Sequence, residues 1–421
     1  MQRTLVVIGG GAAGFFCAIN AASKNKGLRV IILEKTSKLL SKVRVSGGGR
    51  CNVTHACFSI TEMIKKYPRG EKFLKQSFHH FFTTDTIQWF LERNVKLKTE
   101  DDGRMFPESN NSETIIECLL REANKYSVEI LMNREVVEVE NLSLDSNSNN
   151  NQNSAAHFKL TCRSGQELQA DFLCIACGGY SKEQQFNWLA KLGHSYEFPV
   201  PSLFTFNVPQ NNIVDLMGIT LQNVVVKING TKFKQEGPLL ITHWGFSGPA
   251  ILKLSAFAAR RLSELNYDFS ISVNWLPHLN ENLVLDKLKE LRTQIASRKI
   301  INSNPFNLPQ RFWKYQLESC GIKEDIRWAD LLAKLQNLLA IQLCSQQFSV
   351  KGKTTFKEEF VTAGGIKLIE VNSVTMQSKL VRHLFFAGEI LNVDGITGGF
   401  NFQHAWTSGW LAANEIANLS Q

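Results

Sequence analysis

The residues of this chain best suited to chemistry are its glycines, and three glycine-rich clusters stand out. The first, Gly9-Gly10-Gly11-Ala12-Ala13-Gly14, has the form GxGxxG, and Glu34 follows 20 residues after its last glycine. Each part has a mechanical reason. Gly9 makes a tight turn, Gly11 lets a pyrophosphate approach the backbone, Gly14 lets a helix and a strand pack closely, and a helix N-terminus attracts the anion. Glu34 would hold a ribose hydroxyl. The spacing points to a dinucleotide; a purely structural glycine turn is the alternative.

The second cluster runs from Phe386-Ala387-Gly388-Glu389, at a strand end, to Asp394-Gly395-Ile396-Thr397-Gly398-Gly399-Phe400-Asn401, opening a helix. An acidic residue after a strand-end glycine suits the ribityl and phosphate region of FAD, and a glycine-rich helix N-terminus stabilises negative charge on a reduced isoalloxazine. The competing reading is a glycine turn before a capped helix. The third cluster is Ser46-Gly47-Gly48-Gly49-Arg50-Cys51-Asn52. Its glycines expose backbone N–H groups to an anion or ring edge, and Arg50 can pair with phosphate. Cys51 is either a general acid or a small residue that fits.

Positioning these clusters requires a βαβ opening. Thr4 to Gly9 is a β-branched apolar run, Ala12 to Ser23 has helical spacing, and Arg29 to Leu33 is a second strand, so a doubly wound parallel sheet is expected. Helices are expected on both sides of the turn Asp101-Asp102-Gly103. Val128 to Val139 and Phe158 to Cys162 read as a meander extending the sheet, joined by an exposed tip at Ser143 to Ser154. A strand from Phe172 to Ala176 reaches Gly178-Gly179. A β-rich lobe is then expected from about residue 191 and a helical lobe over 279–345, with Leu384 to Ala387 a strand and Phe402 to Ala417 a helix. The fold class is α/β: a Rossmann-like domain built from both termini (1–190 and 355–421), an inserted β-barrel-like lobe (191–278 and 346–354) and a helical lobe.

The 421 residues carry 43% hydrophobic and 20% charged side chains, which excludes disorder, collagen and small disulfide scaffolds. The net charge of +9 fits an anionic partner or merely aids solubility. Nine irregularly spaced cysteines point to free thiols and to no metal site. Cys174 and Cys177 form CxxC, but an offset of three along a strand sends the thiols to opposite faces, against a redox disulfide. The run Leu5 to Ile19 is broken by four glycines, so neither signal peptide nor membrane anchor is expected, and the reading is cytoplasmic.

Seven segments together resemble the BaiN/RdsA or YhiN-type NAD(P)/FAD-dependent oxidoreductases: the first turn, Ser46–Thr54, Gly103–Ser109, Ala176–Gly179, Thr242–Leu252, Val361–Ile366 and Phe385–Trp410. They occur in order across nearly the whole chain. The resemblance implies FAD contacts at Gly9, Gly11, Ala13, Gly14, Glu34, Lys35, Ser46, Gly47, Gly48, Arg50, Cys51, Asn52, Val136, Ala176, Gly178, Gly388, Glu389, Gly398, Gly399, Phe400 and Asn401. His55, Asn392 and Phe400 stand where Asn, Asp and Tyr are usual, which removes a proton donor from the last two positions. No second GxGxxG is visible, so NAD(P)H is expected to visit the flavin transiently.

The resemblance also implies reduction of a C=C bond conjugated to a carbonyl: in steroid-type enones or, for the RdsA branch, in a uracil of large-subunit ribosomal RNA, giving dihydrouridine. Flavin N5 would deliver hydride to the β-carbon and an acid would protonate the α-carbon, with Cys51, His243 and His404 as candidate acids. His243 is equally readable as a satisfied core histidine. Ile64 to Phe82 interleaves Lys65, Lys66, Arg69, Lys72 and Lys75 with Tyr67, Phe73, Phe78 and Phe81, as single-stranded RNA requires; a solvated basic helix face is the alternative. Arg298, Lys299, Arg311 and Lys314 add charge in the helical lobe. A ribosomal RNA dihydrouridine synthase leads, ahead of a small-molecule enone reductase or amine oxidase and of a non-enzymatic FAD-containing RNA-binding factor. Oligomeric state is left open.

Overall fold

A computed structural model describes residues 2–142, 157–354 and 361–421. The expected tip at Ser143 to Ser154 lies outside them. The chain forms two compact units, one reaching Pro201 and resuming at Val361, the other running from Ser202 to Thr354.

In the first unit, β1 (Thr4–Ile8), α1 (Ala12–Lys24) and β2 (Arg29–Leu33) form the expected βαβ motif, with Leu5 beside Val30 in parallel register. There follow α2 (Ser41–Gly49), α3 (Ile60–Ile64), α4 (Glu71–Phe78), β3 (Glu129–Leu131), β4 (Phe172–Ile175), β5 (Leu384–Phe386) and α5 (Phe400–Leu419). The five strands make one parallel sheet in the order β5-β4-β1-β2-β3. Its interior strands are apolar because helices cover a parallel sheet on both faces. A Cβ on Gly409 of α5 would stand 2.7 Å from the Ala13 carbonyl of α1, so the two ends of the chain meet at backbone contact.

Two expectations change. Helices Thr83–Leu91 and Glu113–Lys125 are present, but the Asp101–Gly103 turn is the tip of a hairpin formed by Leu97–Thr99 and Arg104–Pro107. The supposed meander divides: β3 joins the parallel sheet, whereas Val136–Asn141 and Phe158–Cys162 belong to a separate antiparallel sheet with Glu167–Ala170. A single apolar run cannot reveal such a switch of partner.

The second unit holds a seven-stranded antiparallel sheet. Its two end strands, Gln346–Lys351 and Lys353–Thr354, are joined by the single residue Gly352, which draws the sheet's ends together in barrel-like fashion. Helix Pro249–Glu264 fills it with Ile251, Leu254 and Leu262. Helices Glu281–Gln294, Gln310–Ser319 and Ala333–Ser345 surround a separate core containing Trp313, Trp328 and Leu339.

Candidate functional site

The first turn is shaped by steric necessity. Gly9 has φ +117°, and a Cβ there would lie 2.3 Å from the Ala176 carbonyl oxygen; at Gly14 it would lie 2.0 Å from that of Gly9. Neither position accepts a side chain. A Cβ on Gly11, the residue preceding α1, would meet nothing within 4 Å. Glu34 braces this turn: one carboxylate oxygen accepts the Gly10 N–H (2.9 Å) and the other accepts the Thr36 N–H and hydroxyl. The first oxygen keeps a lone pair for a ribose hydroxyl. Lys35 beside it is exposed, and Val136 is half-buried on an edge of the antiparallel sheet.

The third cluster breaks α2. Ser46 is extended and Gly47, Gly48 and Gly49 have positive φ, as has Cys51 at +61°. Gly48, Gly49 and, beyond β4, Gly178 would each present a Cβ to open space. Arg50, expected to face phosphate, bonds Glu100 (2.5 Å) and lies over the Phe106 ring at 4.0 Å. Its charge is already partnered within the chain.

The second cluster is tied on several sides. The Asn52 amide donates to the Thr54 carbonyl and accepts the Gly399 N–H, both at 3.0 Å. His55 bonds the Gly398 carbonyl (3.0 Å) and stacks on Phe400. Asn401 folds back to bond both backbone groups of Gly395 rather than facing outward. Tyr67 donates to the Phe400 carbonyl (2.7 Å), and Arg69 grips Asp394 with two hydrogen bonds. Glu389 accepts from Lys42 and from the Thr362 N–H.

The three candidate acids differ sharply. Burial pushes the Cys51 thiol up to about 12, which makes it a poor proton donor. Burial lowers His404 to about 4, so it is neutral, and its Nε2 bonds the Gly388 carbonyl at 3.1 Å. An Nε2–H committed to that carbonyl is not free for catalysis, and Nδ1 has no partner among the described residues. His243 is no core histidine: it is exposed on the turn after Lys234–Thr242, in the second unit, with Trp244 against its ring.

The basic segment is also corrected. Tyr67, Phe73, Phe78 and Phe81 are buried, because α3 and α4 turn them into the core, so they offer no stacking platform. Arg69, held by Asp394, leaves the set of phosphate ligands. Lys65, Lys72 and Lys75 are exposed and Lys66 half-buried, although Lys65 also pairs with Glu62. Tyr67, Arg69 and Asp394 gave no sequence signal for their role at the second cluster. His55 did, as a departure from the family pattern.

The residues fit FAD. Gly11, Gly48, Gly49 and Gly178 leave space where side chains would intrude, and the N-termini of α1 and α5 supply oriented N–H groups for anionic parts. Fold and cradle together define a class, the Rossmann-type fold of flavoprotein oxidoreductases. Residues 3–415 match the HI0933-like protein Rossmann domain, and the chain belongs to that family. It is 28% identical over 412 residues to a protein of Escherichia coli named ribosomal RNA dihydrouridine synthase, covering 98% of this chain and 97% of that one. It is 27% identical over 432 residues to the 3-dehydro-bile acid delta(4,6)-reductase of Clostridium scindens, covering 98% of each. Among solved structures, the open conformation of a flavocytochrome c3 fumarate reductase superposes with a TM-score of 0.50 at 14% identity, over 100% of this chain and 79% of that one. No helix among the described residues is long and apolar enough to cross a membrane.

Proposed function

We propose that the protein is an FAD-dependent oxidoreductase that reduces a C=C bond conjugated to a carbonyl, and that its substrate is a uridine of large-subunit ribosomal RNA, converted to dihydrouridine. The observation that carries this reading is the open glycine cradle, Gly11, Gly48, Gly49 and Gly178, in a chain similar over its length to a protein named for that reaction. When bound, FAD would supply a hydride for uracil C6 while C5 takes a proton, with NAD(P)H as the proposed source of electrons. Glu34 would orient the FAD ribose, the exposed glycine backbone would admit its pyrophosphate and ring edge, and the N-terminus of α5 would stabilise negative charge on it. Cys51 and His404 are both poorly suited as the acid. Lys65, Lys66, Lys72 and Lys75 engage phosphates of the RNA.

One finding favours a second substrate class, a small enone: the basic segment keeps its aromatics and Arg69 for its own interior. The test is anaerobic. The holoprotein is reduced with NAD(P)H, unmodified ribosomal RNA is added, and flavin reoxidation is followed beside dihydrouridine by mass spectrometry. Matched reoxidation and dihydrouridine support the RNA reading. Reoxidation by an enone but not by RNA overturns it, and RNA binding without any reoxidation leaves a non-enzymatic RNA-binding factor.

A further inference from the structure

We infer that Arg69, Asp394 and Tyr67 are positioning residues that set the glycine turn of residues 395–401 for the flavin; this rests on the FAD reading. The turn carries Gly395, Gly398 and Gly399, and Asn401 closes it by bonding both backbone groups of Gly395, but nothing within it ties it to the rest of the fold. Its register against the neighbouring elements comes from outside. On one side stand Asn52 and His55. On the other, the link between α3 and α4 ties to it at three separate points: the Ile396 N–H donates to the Lys66 carbonyl (2.9 Å), Arg69 pairs with Asp394 by backbone bridge and by side chain, and the Tyr67 hydroxyl donates to the Phe400 carbonyl. Gly70, with φ +90°, approaches so closely that a Cβ would stand 2.7 Å from a Val393 methyl.

The ion pair is the informative part. The Asp394 side chain is 0% exposed and that of Arg69 13%. Desolvating two such groups offsets most of their attraction, and the best attested use of a buried polar pair is to fix register. A planar guanidinium gripping a carboxylate at two points fixes orientation as well as distance. Here the register fixed is that of the N-terminus of α5, whose first N–H groups and partial positive charge would face the flavin. Arg69 therefore belongs to the cofactor site, although its place in a lysine-rich segment suggests phosphate binding.

The test uses the full chain, stripped of flavin and reloaded, with Tyr67→Phe and Arg69→Lys. Tyr67→Phe removes one hydroxyl from a buried ring; Arg69→Lys keeps the charge and loses the two-point grip. FAD dissociation constant, visible circular dichroism of the flavin and midpoint potential are measured beside apoprotein melting temperature. We expect about a tenfold weaker FAD affinity for Arg69→Lys, an altered flavin spectrum and potential in both variants, and little change in apoprotein melting. Unchanged affinity, spectrum and potential, with or without a lower melting temperature, would reduce the brace to a fold-stabilising contact. Wild-type apoprotein that takes up no FAD would overturn the flavin reading itself, an outcome distinct from tight and unaltered binding by the variants.

Discussion

The two glycine turns at the ends of the chain are built on opposite principles. The turn at Gly9–Gly14 is shaped mainly by backbone sterics: its glycines are required by contacts with each other and with Ala176 of the neighbouring strand's end, and its carboxylate brace, Glu34, comes from the end of β2. The turn at 395–401 is closed by its own Asn401 but tied down by the side chains of distant residues, Asn52, His55, Tyr67 and Arg69. A turn made by backbone sterics depends on no remote side chain. A turn held by remote partners can also be loosened, or retuned, from elsewhere in the chain.

The contrast is broken most directly at Gly14. Gly14→Val places side-chain atoms against the Gly9 carbonyl, where even a Cβ would sit at 2.0 Å, and should cost about 3 kcal/mol or more. The expected outcome is loss of soluble, flavin-retaining protein, measured by the 450 nm absorbance that comigrates with the protein in gel filtration. A well-folded yellow variant would show that the first turn yields after all.

Next in size is an acid effect on α5, the helix that the second turn opens. His404 ordinarily titrates near 6.5 and is lowered to about 4 in the fold by burial. Below pH 6.5 the unfolded chain takes up a proton that the folded chain refuses, so the unfolded state gains. Stability is full above pH 6.5 and falls by about 3 kcal/mol as the pH drops toward 4. His383 is lowered to about 4 as well, so the measurement is the difference between wild type and His404→Gln in melting temperature across pH 7 to 4. Parallel curves would remove His404 from the account.

Gly11→Ala sharpens the comparison by separating cofactor from fold within one motif. Open space surrounds the added Cβ, so apoprotein melting should be unchanged, while FAD affinity falls about tenfold, equivalent to about 1.4 kcal/mol, by titration of apoprotein. Equal losses at Gly11 and Gly14 would mean that the motif is structural throughout.

The same contrast governs what was legible in the sequence. The first turn, α1, β2 and Glu34 form one contiguous βαβ unit, and all their requirements but the approach of Gly9 to Ala176 are met within it, so spacing reveals the motif. Asp394 and Arg69 are 325 residues apart, and nothing near either names the other. Arg50 finds Glu100 through tertiary packing, which spacing does not show, while Asn401 turns back on Gly395, six residues earlier in its own turn. Tyr67, Phe73, Phe78 and Phe81 show a deeper ambiguity. Aromatics among lysines describe a stacking surface and an amphipathic core face equally well, and only burial separates the two.

The smallest expected effect tests that separation on a single segment. The link between α3 and α4 and the helix after it present Tyr67 and Arg69 inward, where they hold the second turn, and Lys72 and Lys75 outward to solvent. If the two faces act independently, the double substitution Lys72→Ala and Lys75→Ala leaves the flavin spectrum, its potential and FAD affinity as in wild type. On RNA it should weaken binding modestly and lower the slope of log affinity against log salt by about 2, since each lysine neutralises one phosphate. A shifted flavin spectrum would mean that the outer charges also act on the turn. An unchanged salt slope would place the RNA elsewhere on the protein, leaving this segment a brace for the cofactor turn with a solvated basic face.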